Sequence, residues 1–162
     1  MNTVSLQEIT AAWNRLCDLD EKKTGALVKK FMEEQPALGI YVFANLEEME
    51  GGAEDTRIVE LVVAAWQAMT KAAGGRLPAA TPEEIQGAED ANTRSLEELD
   101  EGSEVEWEDS VRDLRRDYNQ REILGFGIEI LMSGNEDTPE LAPEGIGMEM
   151  VWLKTVIDAL DH

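Results

Sequence analysis

Histidine is almost missing from this chain, the only one being His162. That removes two-histidine zinc motifs, a His-based triad held in an ordered core, and the Glu-x-x-His pairs of di-iron bundles. Cysteine occurs once, at Cys17, so no intramolecular disulfide can form, which agrees with a reducing compartment. Cys17 falls on the same helical face as Trp13, and the expectation is a small core residue; a redox-sensing thiol without a partner is the functional alternative. No uninterrupted apolar run approaches the ~20 residues that span a bilayer. The start, MNTVSLQE, lacks a basic region followed by an apolar one, and the expected location is cytoplasmic.

Basic residues are also scarce, with 14 Lys and Arg against 35 Asp and Glu and a net charge of −21. Between Glu47 and Asp109 there are 18 acids and 4 bases, so two thirds of the excess lies in that stretch. A field of this sign opposes membrane association and direct nucleic-acid binding, and favours basic partners, metal cations or simple solubility. It does not oppose mimicry of nucleic acid.

Motif tests fail on spacing. Gly125-Phe126-Gly127 lacks the third glycine and the lysine-serine pair of a phosphate loop. Asp18-x-Asp20 and Asn135-x-Asp137 resemble calcium-loop starts, but Lys23 and Glu140 replace the sixth-position glycine, and Lys29 and Ile146 the final glutamate. No metal ligand set, cofactor site or catalytic group emerges, and the chain is read as not an enzyme; a carboxylate-based metal-dependent enzyme is the third-ranked alternative.

What is present is helical patterning. From Thr56 to Gly75 the apolar residues cover nearly the whole helical circumference, interrupted only by the line Arg57, Glu60, Gln67 and Lys71. Such a helix must be buried on most sides. Asp55 or Thr56 can cap its start, Lys71 suits its negative end, and Gly74-Gly75 can supply a left-handed stop.

The other segments follow in order. Ser5 with Glu8 forms a capping box for a helix ending near Asp18, with Leu6, Ile9, Trp13, Leu16 and Cys17 on one face. Asp20 caps a second helix with the apolar face Leu27, Val28, Phe31 and Met32, and Pro36 ends it. Residues 36–49 favour a third helix, a short strand being the alternative. Thr81-Pro82-Glu83-Glu84 starts a surface helix with the thin stripe Ile85, Ala88, Leu96 and Leu99. Gly102 breaks it, and Ser103 restarts a helix that passes from acids to Arg112, Arg115, Arg116 and Arg121, with core contacts at Val111, Leu114 and Tyr118.

Gly125-Phe-Gly-Ile-Glu-Ile and Gly145-Ile-Gly-Met-Glu-Met share one pattern. Its period of two suits a small β-hairpin near 124–152 closed by a loop at Ser133 to Glu144, whereas the stripe Met150, Leu153, Ile157 and Leu160 suits a helix. Helices are preferred, with the glycines marking close helix contacts or kinks. Glu54-Asp55-Thr56 before Trp66 and Glu136-Asp137-Thr138 before Trp152 match in only three residues, too few for a repeat. The fold expected is all-α, a single helical domain over 1–162 with six to eight helices around a buried central helix near 56–73.

The candidate functional surface is the acidic tract from Glu97 to Asp109. Trp107 stands among Glu97, Glu98, Asp100, Glu101, Glu104, Glu106, Glu108 and Asp109, an aromatic anchor in an anionic surround suited to a lysine- or arginine-rich protein. The plainer reading is a solvated helix start whose tryptophan folds back onto the core. The function expected is an acidic protein-interaction or regulatory module that binds a basic partner or mimics nucleic acid. The alternative is a helical homodimer formed through Leu153, Ile157 and Leu160.

Overall fold

The computed structural model describes residues 1–48, 56–100, 118–133 and 143–161, with side chains for all of these except 98–100 and 143–146. Seven helices account for most of them: α1 (Leu6–Cys17), α2 (Glu21–Glu34), α3 (Pro36–Glu48), α4 (Arg57–Ala72), α5 (Pro82–Asp100), α6 (Arg121–Met132) and α7 (Pro143–Leu160). Among the described residues there is no strand, so the fold is all-α and the hairpin near 124–152 is excluded. Gly125 to Ile130 and residues 145–150 lie in α6 and α7, and a two-stranded hairpin by itself is at best marginally stable in water.

Several helix ends are formed by their own residues. At α1, Ser5 N–H and hydroxyl both donate to the Glu8 carboxylate (2.9 and 2.8 Å) and Glu8 N–H donates to Ser5 Oγ (3.3 Å). The backbone and hydroxyl donations of Ser5 hold the Glu8 carboxyl below its ordinary pKa. Asp20 caps α2 through Lys23 N–H, and Pro36 opens α3 immediately after α2 stops. Thr81 and Glu84 build the same box at α5. At the end of α4, Gly74 takes a left-handed φ of 73° and Gly75 N–H donates to Thr70 O (3.2 Å), a stop open to glycine because it has no Cβ. Thr56 precedes α4 but makes no side-chain cap, so that part of the expected start is not used.

The core sits on α4 and α7. Helix α4 buries eleven residues, from Arg57 through Met69, each large aliphatic removed from water contributing about 1.5–3 kcal/mol before entropy is counted. Arg57, expected on the polar line, is 8% exposed. The helix is packed from its first turn, so this side chain is buried and a guanidinium nitrogen with it. From Gly147 to Leu160, α7 exposes only Met148 and leaves Lys154 and Asp158 half-buried. It is therefore a second buried helix and not the one-striped element its sequence suggested. Leu153, Ile157 and Leu160, the face expected to join two copies, are at most 1% exposed within the chain's own core, so that face does not remain for a second chain.

Four further expectations are corrected. Cys17 is exposed, because the face that enters the core is Ile9, Ala12 and Leu16, one position away round the turn. Met32 is 40% exposed and only Phe31 of the α2 stripe is fully buried, since α2 packs on neighbours along a narrow edge. The expected helix from Ser103 does not run continuously into Arg121: Tyr118 is outside any helix, a turn follows, and Arg121 opens α6 paired with Glu122 (3.3 Å). Val111, Leu114 and most of that helix lie outside the described residues. Helix α7 also begins at Pro143, before the expected end of the 133–144 loop.

Helix directions follow from contacts at known positions. Asn2 bonds Ala72 O and Val4 N–H bonds Gln120 Oε1, so α1 runs against α4 and with α6, a sense confirmed by Trp13 stacking edge-on to Phe126 (6.0 Å). Gln35 donates to Pro78 O and accepts from Ala80 N–H at the starts of α3 and α5, and Tyr41 meets Glu89 further along, so these two run together. Asn92 meets Thr155 and Asp158 while Gly147 faces Leu96, so α5 and α7 are opposed. The consequence is that α3 and α5 end, and α7 begins, at one end of the bundle.

Candidate functional site: an acidic face on α3 and α5

Helix α5 is held inward by polar contacts. Asn92, 5% exposed, lies on the same side as buried Ile85 and half-buried Leu96 and completes the stripe that sequence reading left as apolar residues alone. Its amide donates to Thr155 Oγ1 (3.3 Å) and Asp158 Oδ2 (3.0 Å). Asp158 also accepts from Tyr118 Oη (2.6 Å) and Lys154 Nζ (2.7 Å), and the Lys154 ammonium stands 4.5 Å from the centre of the Tyr118 ring. Three side chains, from α5, α7 and the residue before the α6 turn, therefore converge on one carboxylate.

This cluster acts as a clamp between elements, and each charged group in it has a partner. A second clamp joins the chain's beginning to the end of α7. Gln120 accepts from Val4 N–H (3.0 Å) and donates to Asn2 O and Asp161 Oδ1, while Asn119 and the Met1 amino group also donate to Asp161.

Burial raises the pKa of the Tyr118 hydroxyl far above its ordinary value near 10, and the Asp158 charge and hydrogen bond push in the same direction. Tyr41 is raised mainly by burial as well. The unfolded chain releases these protons near pH 10, whereas the folded chain keeps them. Stability is thus whole below pH 10 and falls as pH rises beyond it, at about 1.4 kcal/mol per pH unit for Tyr118 alone. Urea unfolding between pH 9 and 12 should show this slope, and Tyr118→Phe should reduce it; an equal slope in the variant would assign the effect elsewhere.

The outward side of α5 is acidic. Tyr41 Oη donates to Glu89 Oε1 (3.0 Å), which fixes where α3 and α5 face each other. Taking about 100° per residue, Ile85 and Asn92 lie on the core side of Glu89, and Thr93, Glu97 and Asp90 lie about 40°, 80° and 100° to the other side. All three are exposed. Glu83 and Glu84 are exposed in the first turn and Glu47 and Glu48 at the end of α3, the same end to which α5 delivers Glu97. One exposed base, Arg94, accompanies them on α5.

Of the residues expected to form the site, Glu97 is exposed and Glu98 and Asp100 belong to the last turn of α5. Glu101, Glu104, Glu106, Trp107, Glu108 and Asp109 lie outside the described residues. Sequence reasoning missed Glu47, Glu48, Glu89 and Asp90 as parts of this face. The 86, 90, 93, 97 spacing could have supplied Asp90, but only the Tyr41–Glu89 contact brings α3 alongside.

The thiol of Cys17 is raised in pKa by partial burial and by Glu60 and Asp18, the opposite of what a reactive thiolate requires. Among the described residues no group of three or more His, Cys, Asp or Glu side chains is placed to hold a metal ion, and no helix is long and apolar enough to cross a membrane. No protein-family model matches the chain, and neither does any curated protein or solved structure.

Proposed function

We propose that this protein is an acidic interaction module whose α3–α5 face, continuing into the Glu97 to Asp109 tract, receives a lysine- or arginine-rich protein segment. The observation that carries this reading is the alignment of α3 and α5. It gathers exposed Glu47, Glu48, Asp90 and Glu97 on one side and at one end, where the sequence then continues with Glu98, Asp100, Glu101, Glu104, Glu106, Glu108 and Asp109. Like charges crowded in this way repel one another, and a cationic partner relieves that repulsion while gaining attraction of its own.

The test uses a fluorescent oligolysine peptide and its dissociation constant between roughly 0.02 and 0.3 M salt, a range over which exposed charges become screened. Affinity should fall steeply with salt. The combined reversal E104K/E106K/E108K should weaken binding by about tenfold or more, whereas D18K/E21K/E33K, an equal change of charge on α2 and the preceding turn, should weaken it much less. Equal losses in the two triple variants would reduce the acidic face to a diffuse coat.

A further inference from the structure

We propose that the outer ridge of α3, formed by Pro36, Ile40 and Ala44 with Met32 of α2 beside it, is the docking site for the apolar side of a cationic amphipathic helix. The inference rests on the reading of a basic partner and adds an apolar anchor to it. Ile40 is 70% exposed, the most exposed large hydrophobic among the described residues, and Met32 is 40% exposed. Pro36, Ile40 and Ala44 follow one another at spacings of four, one row along the helix about 12 Å long at 1.5 Å per residue.

Gly39 faces Met32, with Met32 Cγ 3.1 Å from where a Cβ at residue 39 would stand, so α2 brings Met32 to the edge of this row. On the opposite flank Tyr41 holds Glu89. Along α3 the buried Leu38 and Val42 lie to one side of Tyr41, and Ile40 and Ala44 to the other. The ridge therefore faces the same exterior as Asp90, Thr93 and Glu97.

Charge decides the occupant. Acids rim the ridge on the α5 flank (Glu89, Asp90, Glu97) and at its end (Glu47, Glu48), while Lys29 and Lys30 on the α2 flank are matched by Glu33 and Glu34 at 3.8 and 3.9 Å. A second copy would bring another net charge of −21 against this rim and be repelled, and an uncharged helix would leave the carboxylates uncompensated. A helix with leucine-like residues on one face and lysines or arginines at its borders meets both demands, the apolar row filling the ridge and the bases reaching the rim.

Two peptides of equal lysine count separate the apolar anchor from charge alone: a Leu/Lys amphipathic helix of about 18 residues and an oligolysine. The amphipathic peptide should bind about tenfold or more tightly than the oligolysine, and Ile40→Ser should cancel that advantage while leaving oligolysine affinity unchanged. Ile40→Ser removes an exposed side chain, and an unchanged melting temperature verifies that the fold is kept. Equal affinity of the two peptides, or an amphipathic advantage that survives in Ile40→Ser and in Met32→Ser/Ile40→Ser, overturns the anchor and leaves the acidic reading standing. Absent or salt-insensitive oligolysine binding removes the acidic reading itself. Concentration-dependent dimerisation of the free protein that Ile40→Ser abolishes would give the ridge to a second copy and overturn the inference.

Discussion

Replacing Gly127 by valine is expected to destabilise the protein by about 3 kcal/mol or more. Gly127 is buried, and a Cβ built there would overlap Leu153 Cδ2. Leu153 is itself 1% exposed, so its methyl group has no solvent to retreat into and must leave its rotamer or push the helices apart. Gly127→Ala gains about 1 kcal/mol in helix propensity but loses more to this overlap, for a net cost of about 1–2 kcal/mol.

A double-mutant cycle isolates the cause. Leu153→Ala alone should cost about 3 kcal/mol through the cavity it leaves, and in that background Gly127→Ala should become favourable because the space is open. Gly87 in α5 is the reference, with nothing within 4 Å of its built Cβ; Gly87→Ala should stabilise by up to about 1 kcal/mol. Urea unfolding of the set checks the series. A neutral or stabilising Gly127→Ala in the wild-type background would show that α6 and α7 are not seated on this contact.

Removing the carboxylate of Asp158 is the second large effect, expected at about 3 kcal/mol for Asp158→Ala. The side chain accepts from Tyr118, Asn92 and Lys154 at once, and without it three partly buried donors, one of them charged, lose their acceptor. Lys154 is only 16% exposed at its side chain, so water compensates it incompletely. Asp158→Asn keeps one acceptor oxygen and the volume but adds two donors among existing donors, and should recover less than half of the loss. Tyr118→Phe removes a single donor and leaves Asp158 satisfied by the other two, at about 1 kcal/mol. The pair Asp158→Ala/Tyr118→Phe should fall short of the sum, since the phenol no longer lacks an acceptor. Strict additivity in thermal or urea unfolding would mean that the cluster does not act as a unit.

The legible parts of the fold are those whose physics is local. Ser5 with Glu8, Asp20, Pro36 and Thr81 with Glu84 start their helices through contacts three residues apart, so residue identity and spacing suffice. Gly74 with Gly75 stops α4 for the same reason. The composition of α4 likewise dictated burial on nearly every side. Its partner in this role, α7, is only half legible, because glycines and an alternating pattern at its beginning conceal a helix buried on most sides from Gly147 on. Arg57 and Cys17 were misplaced by one turn or less: a hydrophobic stripe fixes a face to within tens of degrees, and which border residue is covered depends on the neighbour that arrives.

The candidate face divides along the same line. The acidic excess and the position of Glu97 are written in the sequence, yet its association with Glu47, Glu48 and Asp90 depends on α3 and α5 running side by side, joined by Tyr41 and Glu89 48 positions apart. Ile40 could not be told from a core residue, because periodicity states that a helix has an apolar side and is silent on how much of it a neighbour covers.

By itself, then, the chain determined its helices, their caps, the burial of α4 and the sign of its field, all set by near-neighbour chemistry and composition. Only the tertiary structure decided that Asn92, Tyr118 and Lys154 converge on Asp158, that Leu153 lies over Gly127, and that an apolar ridge remains uncovered between acids. Each of these requires residues far apart in sequence to meet in space, and the free energy of such meetings belongs to the packed whole and not to any segment.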